Sequence, residues 1–499
     1  MPVILAATVI IIITLLYIHF TKHNDGWIEK SVPGPEPTFI FGNVEDAVLR
    51  RKHIGIVFKN IHNAYSEEKV LGIFVMKNPE LLIRDLDVVR NILTKDFDFF
   101  IDRGVEFENN LGADLLHDEN TRGMVRSRFY FLFTRENLQN MMHLLIEKGN
   151  AFVEHVDQIT QSKQEQDVHG LVHKFTQASI ACALGVNLDT FDKEYDTLLT
   201  NQKATTFNFG RELELMYPSI LNKLRYFFLP KKNSFFLYKL VQNFISQRTY
   251  EPRNKKDFMD LILKLIKEEH ISEQKRNGDT RSSGVTDEMI AAQAYIYYAL
   301  GNETIASTLG FLLYQLALNP DIQDKVVTEI KEMLENHNKE ITVQGILDLS
   351  YMGKVLDETL RMYPVVPYLR RKSTKKYMIP DTNLKIENGE FIRISVLGIH
   401  YDKKIYPTPD VFDPERFSPE NVAARHECSY LPFGLDPGHC IAKSFAQVVS
   451  RVCLVKLLSQ FRVEPSDNTP RQVEYDSTRT VLYPKGSFLI HFVKRKDSH

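Results

Sequence analysis

Apolar residues recur three and four positions apart through most of the chain, and that period predicts helices. LIEKGNAFVEHVDQI, DFMDLILKLIKEE, NPDIQDKVVTEIKEMLENH and MGKVLDETLRMY each present one apolar face and one polar face. Two runs are different. VLGIFVMKNPELLIRD and LKIENGEFIRISVLGIHY are rich in β-branched residues and read as hairpins, turning at Asn78-Pro79 and Asn388-Gly389. The expected body is mainly α with small β-sheets.

Two segments are apolar all round. Pro2 to Phe20 carries no charged residue, and at 1.5 Å per residue it reaches about the 30 Å of a hydrocarbon core. Without a basic leader or a small-residue cleavage site, it reads as a transmembrane anchor over residues 2–21 rather than an excised signal. Lys22, His23 and Lys30 follow it, which places the rest of the chain on the cytosolic side. Pro33, Pro35 and Pro37 then make residues 22–43 a stiff polar hinge. The second segment runs from about Thr286 to Leu318, where Asn319-Pro320 stops it. A helix of roughly 50 Å with this composition has to cross the centre of a large core. At its midpoint stands the polar break Gly301-Asn302-Glu303-Thr304, whose groups need partners or a purpose.

Composition narrows the function classes. The 499 residues are 43% hydrophobic and 25% charged, enough for a large core. Lys and Arg number 62 against 64 Asp and Glu, so binding nucleic acid through bulk positive charge is excluded. The four cysteines, Cys182, Cys428, Cys440 and Cys453, have no paired spacing, which fits a reducing compartment. Cys182 and Cys453 lie in apolar helical patterns and read as core.

Cys440 is placed differently. In LPFGLDPGHCIA it follows a loop broken by two glycines and two prolines, and it precedes a helical pattern whose amino end points back at it. Such a loop brings backbone N–H groups near a sulfur, where they tune a thiolate as a metal ligand. An ordinary buried thiol after a turn is the plainer reading. A zinc site from His426, Cys428, His439 and Cys440 is a third, disfavoured because paired zinc ligands stand two to four residues apart.

The order of motifs separates these readings. Gly-Asn-Glu-Thr in the central helix, Glu358-Thr-Leu-Arg361, Asp-Pro-Glu-Arg416-Phe and the Cys440 loop together resemble the cytochrome P450 superfamily, the haem-thiolate monooxygenases. The resemblance covers essentially the whole chain, and its wording is similar to insect microsomal members that handle xenobiotics. It implies the P450 fold over residues 44–499 and haem, iron protoporphyrin IX, as cofactor. Cys440 would be the axial iron ligand. Thr304 and Glu303 would deliver protons on the distal side. Arg126, Arg122, Arg371, Phe433 and His439 would line the cofactor. Glu358, Arg361 and Arg416 would form a structural cluster behind it. The resemblance further implies an endoplasmic reticulum membrane and a lipophilic small-molecule substrate. NADPH–cytochrome P450 reductase would be the electron donor and cytochrome b5 a second one, with Lys443, Arg425 and His426 as docking charges.

The departures from the family are informative. Its Cys loop reads F-x-x-G-x-R-x-C-x-G; here Asp436 and Ala442 replace glycines, and Gly438 replaces the arginine that holds a haem propionate. Arg122 stands where the family has a tryptophan. It either takes over the charge given up at Gly438 or points to solvent. Leu300 replaces a small residue before Gly301, where it either narrows access to the iron or is turned aside by helix register. These three residues support a rival reading, a divergent haem-binding protein that has lost turnover. A haem-thiolate isomerase or dehydratase is a second rival, and the retained Glu303-Thr304 speaks against it.

Overall fold

A computed structural model describes residues 2–22, 25–104, 126–162, 164–185, 256–275, 287–435, 437–479 and 481–496. The longer helices are α1 (Pro2–Thr21), α2 (Ile54–Ala64), α3 (Arg135–Thr160), α4 (Val168–Ala183), α5 (Phe258–Lys275), α6 (Asp287–Leu318), α7 (Pro320–Asn336), α8 (Ser350–Met362) and α9 (Lys443–Gln460). The amphipathic segments predicted from period are helices, and α6 has the predicted carboxyl end. Pro320 has no N–H to continue α6, and it serves instead as the first residue of α7.

Helix α6 runs through the main core and packs most extensively on α4, with α7, α8 and α9 around it. The side chains of Leu309, Phe311, Leu312, Leu313 and Leu316 are fully buried. Burial on every side over this carboxyl-terminal half explains why it carries no polar stripe. Helix α8 begins with a cap borrowed from α7: Glu329 accepts hydrogen bonds from the N–H groups of Tyr351 (2.7 Å) and Met352 (2.9 Å).

Among the described residues, three small sheets flank the helices. Strands β1 (Val70–Val75), β2 (Asn78–Ile83), β4 (Leu369–Lys372) and β7 (Phe391–Ile394) form one sheet in the order β1-β2-β7-β4. Strands β3 (Gln166–Asp167), β8 (Phe461–Pro465) and β9 (Leu489–Lys494) form a second, and β5 (Tyr377–Met378) pairs with β6 (Lys385–Ile386). The first predicted hairpin exists, but it turns at Met76-Lys77, two residues early, since Pro79 lies inside β2 opposite Phe74. The second is not a hairpin. β6 pairs with β5, while β7 runs parallel to β2 and antiparallel to β4. VLGIH, expected to extend the strand, is a short helix, Val396–His400, capped by the Ser395 hydroxyl.

The proline segment is docked on β1. The Gly72 N–H donates to Pro33 O at 2.8 Å, and a Cβ on Gly34 would lie 1.9 Å from Gly72 O. Trp27 lies over Gly72 and donates through Nε1 to Ile73 O at 3.1 Å. Helix α1 is long and apolar enough to cross a membrane.

Three of the buried histidines among the described residues, His400, His53 and His169, are held strongly in the neutral form. His400 accepts from the Leu431 N–H at Nε2 (3.0 Å), so its Nδ1 carries the proton donated to Arg361 O (3.0 Å). His53 accepts at Nδ1 from the Gly55 N–H and donates from Nε2 to Val481 O. Burial pushes His400 and His169 down to about 3 and His53 down to about 4. Between those values and the ordinary 6.5, the unfolded chain binds more protons than the folded one. Stability is therefore full above pH 6.5 and lost as pH falls toward 4, by up to about 1.4 kcal/mol per pH unit for each histidine. Urea unfolding from pH 7.5 to 4.5 is expected to show that decline, and replacing His53 with Asn should flatten its share.

Candidate active site

The Cys440 loop is closed by a hydrogen bond from the Cys440 N–H to Phe433 O at 2.9 Å, and its turn uses Gly434 at φ 77°, a conformation glycine adopts freely. Cys440 is exposed to solvent. Burial pushes this thiol up; the Ala442 N–H beside the sulfur and the charges of Arg126, Arg103 and Lys443 work in the opposite direction. Phe433 packs with Leu360, Val365, Val481 and Tyr430, joining the loop to α8 and to the segments around Val365 and Val481.

The face of α6 carrying Tyr297, Leu300 and Thr304 is its open side. Leu300 is 45% exposed halfway along a helix whose neighbouring residues Asn302, Glu303, Ile305 and Ala306 are buried. Tyr297, one turn earlier, lies within electrostatic reach of Cys440 and Arg126. Its buried hydroxyl finds no hydrogen-bond partner among the described residues. Thr304 Oγ1 donates to Leu300 O at 2.8 Å. Glu303, next in sequence but turned about 100° around the helix, is buried and forms an ion pair with Arg479.

Arg126 donates from Nη1 to His439 O at 2.7 Å, with His439 itself exposed. Arg122 lies outside the described residues, as does Asp436. Arg371, on β4, is 4% exposed and donates from Nη1 to Arg370 O at 2.7 Å. A second guanidinium at the loop escaped the sequence reading: Arg103 Nη2 donates to Gly438 O at 2.5 Å. Arg103 thus reaches the residue at which the family's loop arginine is missing, across 335 positions of chain.

Glu358 and Arg361 are both 0% exposed and make a bidentate pair, Nε to Oε2 at 2.7 Å and Nη2 to Oε1 at 2.8 Å. Arg361 also donates to His400 O (2.9 Å) and Pro409 O (2.8 Å), while Glu358 accepts from the Asp413 N–H (3.0 Å). Arg416 Nε stands 3.6 Å from Glu358 Oε1. Burial pushes the Glu358 carboxyl up, against Arg361, Asp413 N–H and Arg416, which all favour its charge. His400 connects this cluster to the site. It bridges Arg361 O to the N–H of Leu431, the first residue of the Cys loop, and stacks on Tyr430, whose hydroxyl is bound to Asp357 at 2.9 Å. Neither His400 nor Tyr430 was evident from sequence, because neither belongs to a local pattern.

The other cysteines are interior. Cys453 and Cys428 are fully buried, Cys182 nearly so, and burial pushes Cys428 up to about 12. His426 caps the Cys428 N–H through Nδ1, and no group of three metal-ligating side chains occurs among the described residues. One accessible thiol, an orphaned tyrosine hydroxyl and two guanidiniums at the rim suit a large planar anionic cofactor ligated by one sulfur. They do not suit tetrahedral zinc. Haem therefore fits this site.

A family model described as cytochrome P450 matches residues 32–492. The chain belongs to the cytochrome P450 family. It is 41% identical over 494 residues to cytochrome P450 6B6 of Helicoverpa armigera, covering 98% of each chain. Cytochrome P450 6B1 of Papilio polyxenes is also 41% identical, over 497 residues and 98% and 99% of the two chains. Cytochrome P450 6a8 of Drosophila melanogaster is 31% identical over 497 residues, 95% and 96% of the chains. This P450 is accordingly a haem-thiolate monooxygenase that uses haem as its cofactor, and its apolar amino-terminal helix fits a microsomal membrane anchor.

Proposed function

We propose that this P450 oxidises lipophilic small molecules of the xenobiotic type, with its body on the cytosolic face of the endoplasmic reticulum. Electrons would come from NADPH–cytochrome P450 reductase, with cytochrome b5 as a second donor. One dioxygen, one NADPH and one proton would convert each substrate C–H into C–OH and release water and NADP+. The observation that carries the reading is the exposed Cys440 within electrostatic reach of Tyr297 of α6, on the helix face that also carries Leu300 and Thr304.

Bound haem would activate dioxygen and pass one oxygen atom to the substrate. Cys440 would hold the iron, while Arg103 and Arg126, turning from the carbonyls they now meet, would hold the propionates. Arg371, Phe433 and His439 are the further candidates for the cofactor's surroundings. Leu300 would form an apolar wall that excludes water and selects substrates by shape. Thr304 would hold a proton-bearing hydroxyl over the site, and Glu303 would resupply it. Among the docking charges, Arg425 already lies over the rings of Phe417 (4.7 Å) and Tyr406 (4.9 Å), and His426 is 3.5 Å from Asp87. Lys443, 5.6 Å from the Phe433 ring centre, is the one nearest the sulfur in sequence.

Arg103 answers the missing loop arginine in this scheme. Arg103→Ala is expected to weaken haem retention roughly 10- to 100-fold, the equivalent of one charge-assisted hydrogen bond of about 1.5–3 kcal/mol. Haem transfer to apomyoglobin measures it, and unchanged retention would remove Arg103 from the site. Function itself is tested by reconstituting the full chain with the reductase and a lipophilic probe. NADPH consumption with hydroxylated product supports the proposal. A haem-loaded protein that consumes no NADPH would favour the reading of a haem protein without turnover.

A further inference from the structure

Glu303 and Thr304 are adjacent, yet their side chains are held by different parts of the molecule. Thr304 bonds back along its own helix to Leu300 O. Glu303 Oε1 receives Arg479 Nη1, from the segment between β8 and β9. Arg479 Nε donates in turn to Asp476 Oδ2 at 3.2 Å, and Asp476 is fixed by the Thr478 N–H (2.9 Å) and hydroxyl (2.6 Å). The Arg479 guanidinium lies 4.0 Å over the Tyr483 ring. Two more bonds secure the segment: Ser307 Oγ donates to Leu482 O at 2.8 Å, and the Leu482 N–H to Val365 O at 2.9 Å. Side-chain exposure rises outward along the row, from 7% at Glu303 through 16% at Arg479 to 24% at Asp476. The row is therefore a charged path from the surface to the polar midpoint of a largely apolar helix. A carboxylate there is tolerable only with its counter-ion in place.

We infer that Arg479 is a positioning residue for proton delivery, holding the Glu303 carboxylate on the solvent-connected side of α6 so that it recharges from solvent and hands its proton to Thr304. The inference rests on the reading of Glu303 as a proton donor. Each turnover consumes two protons in turning one oxygen atom of dioxygen into water; Glu303, starting as the carboxylate, takes up each in turn from water reaching the Asp476 end and passes it toward Thr304, so it ends unchanged. Dioxygen is reduced by the two electrons of the established reaction, and no further oxidant or reductant enters. A guanidinium does not release its proton in proteins, so Arg479 orients the donor and transfers nothing itself.

Five variants of the full-length haem protein test this: Arg479→Gln, Arg479→Lys, Glu303→Gln, the double variant Glu303→Gln/Arg479→Gln, and Thr304→Ala. Peroxide released per NADPH, the solvent deuterium isotope effect on product formation and thermal unfolding are read for each. Arg479→Gln is expected to cut product per NADPH at least 10-fold, near the low end of what a positioned proton transfer contributes, and to raise the isotope effect. Arg479→Lys should restore most of the coupling, and the double variant should be no worse than Glu303→Gln alone. Thermal unfolding should show the same non-additivity between the two positions. The inference is overturned if Arg479→Gln lowers the unfolding temperature but leaves peroxide yield and isotope effect at wild-type values, or if the two losses simply add. If Glu303→Gln itself leaves both unchanged while Thr304→Ala does not, the assignment of Glu303 fails, and with it this inference.

Discussion

Replacing Arg361 with alanine is expected to leave no stable haem domain. The guanidinium makes both bonds of a bidentate pair to Glu358 and two more to the carbonyls of His400 and Pro409, all without solvent access. Removing it strands a buried carboxylate with only Arg416, 3.6 Å away, as a charge partner. Breaking a buried pair from one side costs about 3–5 kcal/mol, against a total stability of about 5–15 kcal/mol for a domain. The carbonyl of His400 would also lose its guanidinium donor, although the ring's own bonds to Arg361 O and the Leu431 N–H involve backbone and remain. Arg361→Lys should rescue little, because an ammonium cannot reproduce the planar fork. The yield of folded, haem-loaded protein and its unfolding temperature measure the effect. An Arg361→Ala variant that retains haem and unfolds within a degree of wild type would contradict this account of the cluster.

What could be read from sequence is what the chain writes locally. Helical period marks α3, α5, α7 and α8 because each buries a single face. The Glu358–Arg361 spacing is legible because residues three apart on a helix are neighbours. The Cys440 loop announces itself by glycine and proline. The contacts that complete the site join residues far apart: Arg103 to Gly438 over 335 positions, Arg479 to Glu303 over 176, Arg361 to His400 over 39. No period or motif encodes such pairs. The second hairpin failed for the same reason. The turn at Asn388-Gly389 was readable, whereas the partners of β6 and β7 depend on strands distant in the chain. For the charge given up at Gly438 the sequence pointed to Arg122, whereas the fold brings Arg103 to the Gly438 carbonyl.

Cys440→Ala should have the opposite profile to Arg361→Ala. Cys440 is exposed, and the loop's closing hydrogen bond uses the backbone of residue 440, so the fold should persist with an unfolding temperature near wild type. Monooxygenase turnover should fall to background, because the sulfur's electron donation is what favours O–O cleavage. Residual haem held by apolar contact and the arginines would lack a thiolate. Measuring product formation beside circular dichroism separates the two effects. Turnover within a few-fold of wild type would remove Cys440 from the role of iron ligand.

The most direct test of the whole account is the reduced, carbon-monoxide-bound absorption spectrum of the full chain in membranes. The account predicts the red-shifted Soret band of a thiolate-ligated haem in the wild type and its absence in Cys440→Ala. Full-length, folded protein that binds no haem, or binds it without that band, would contradict it.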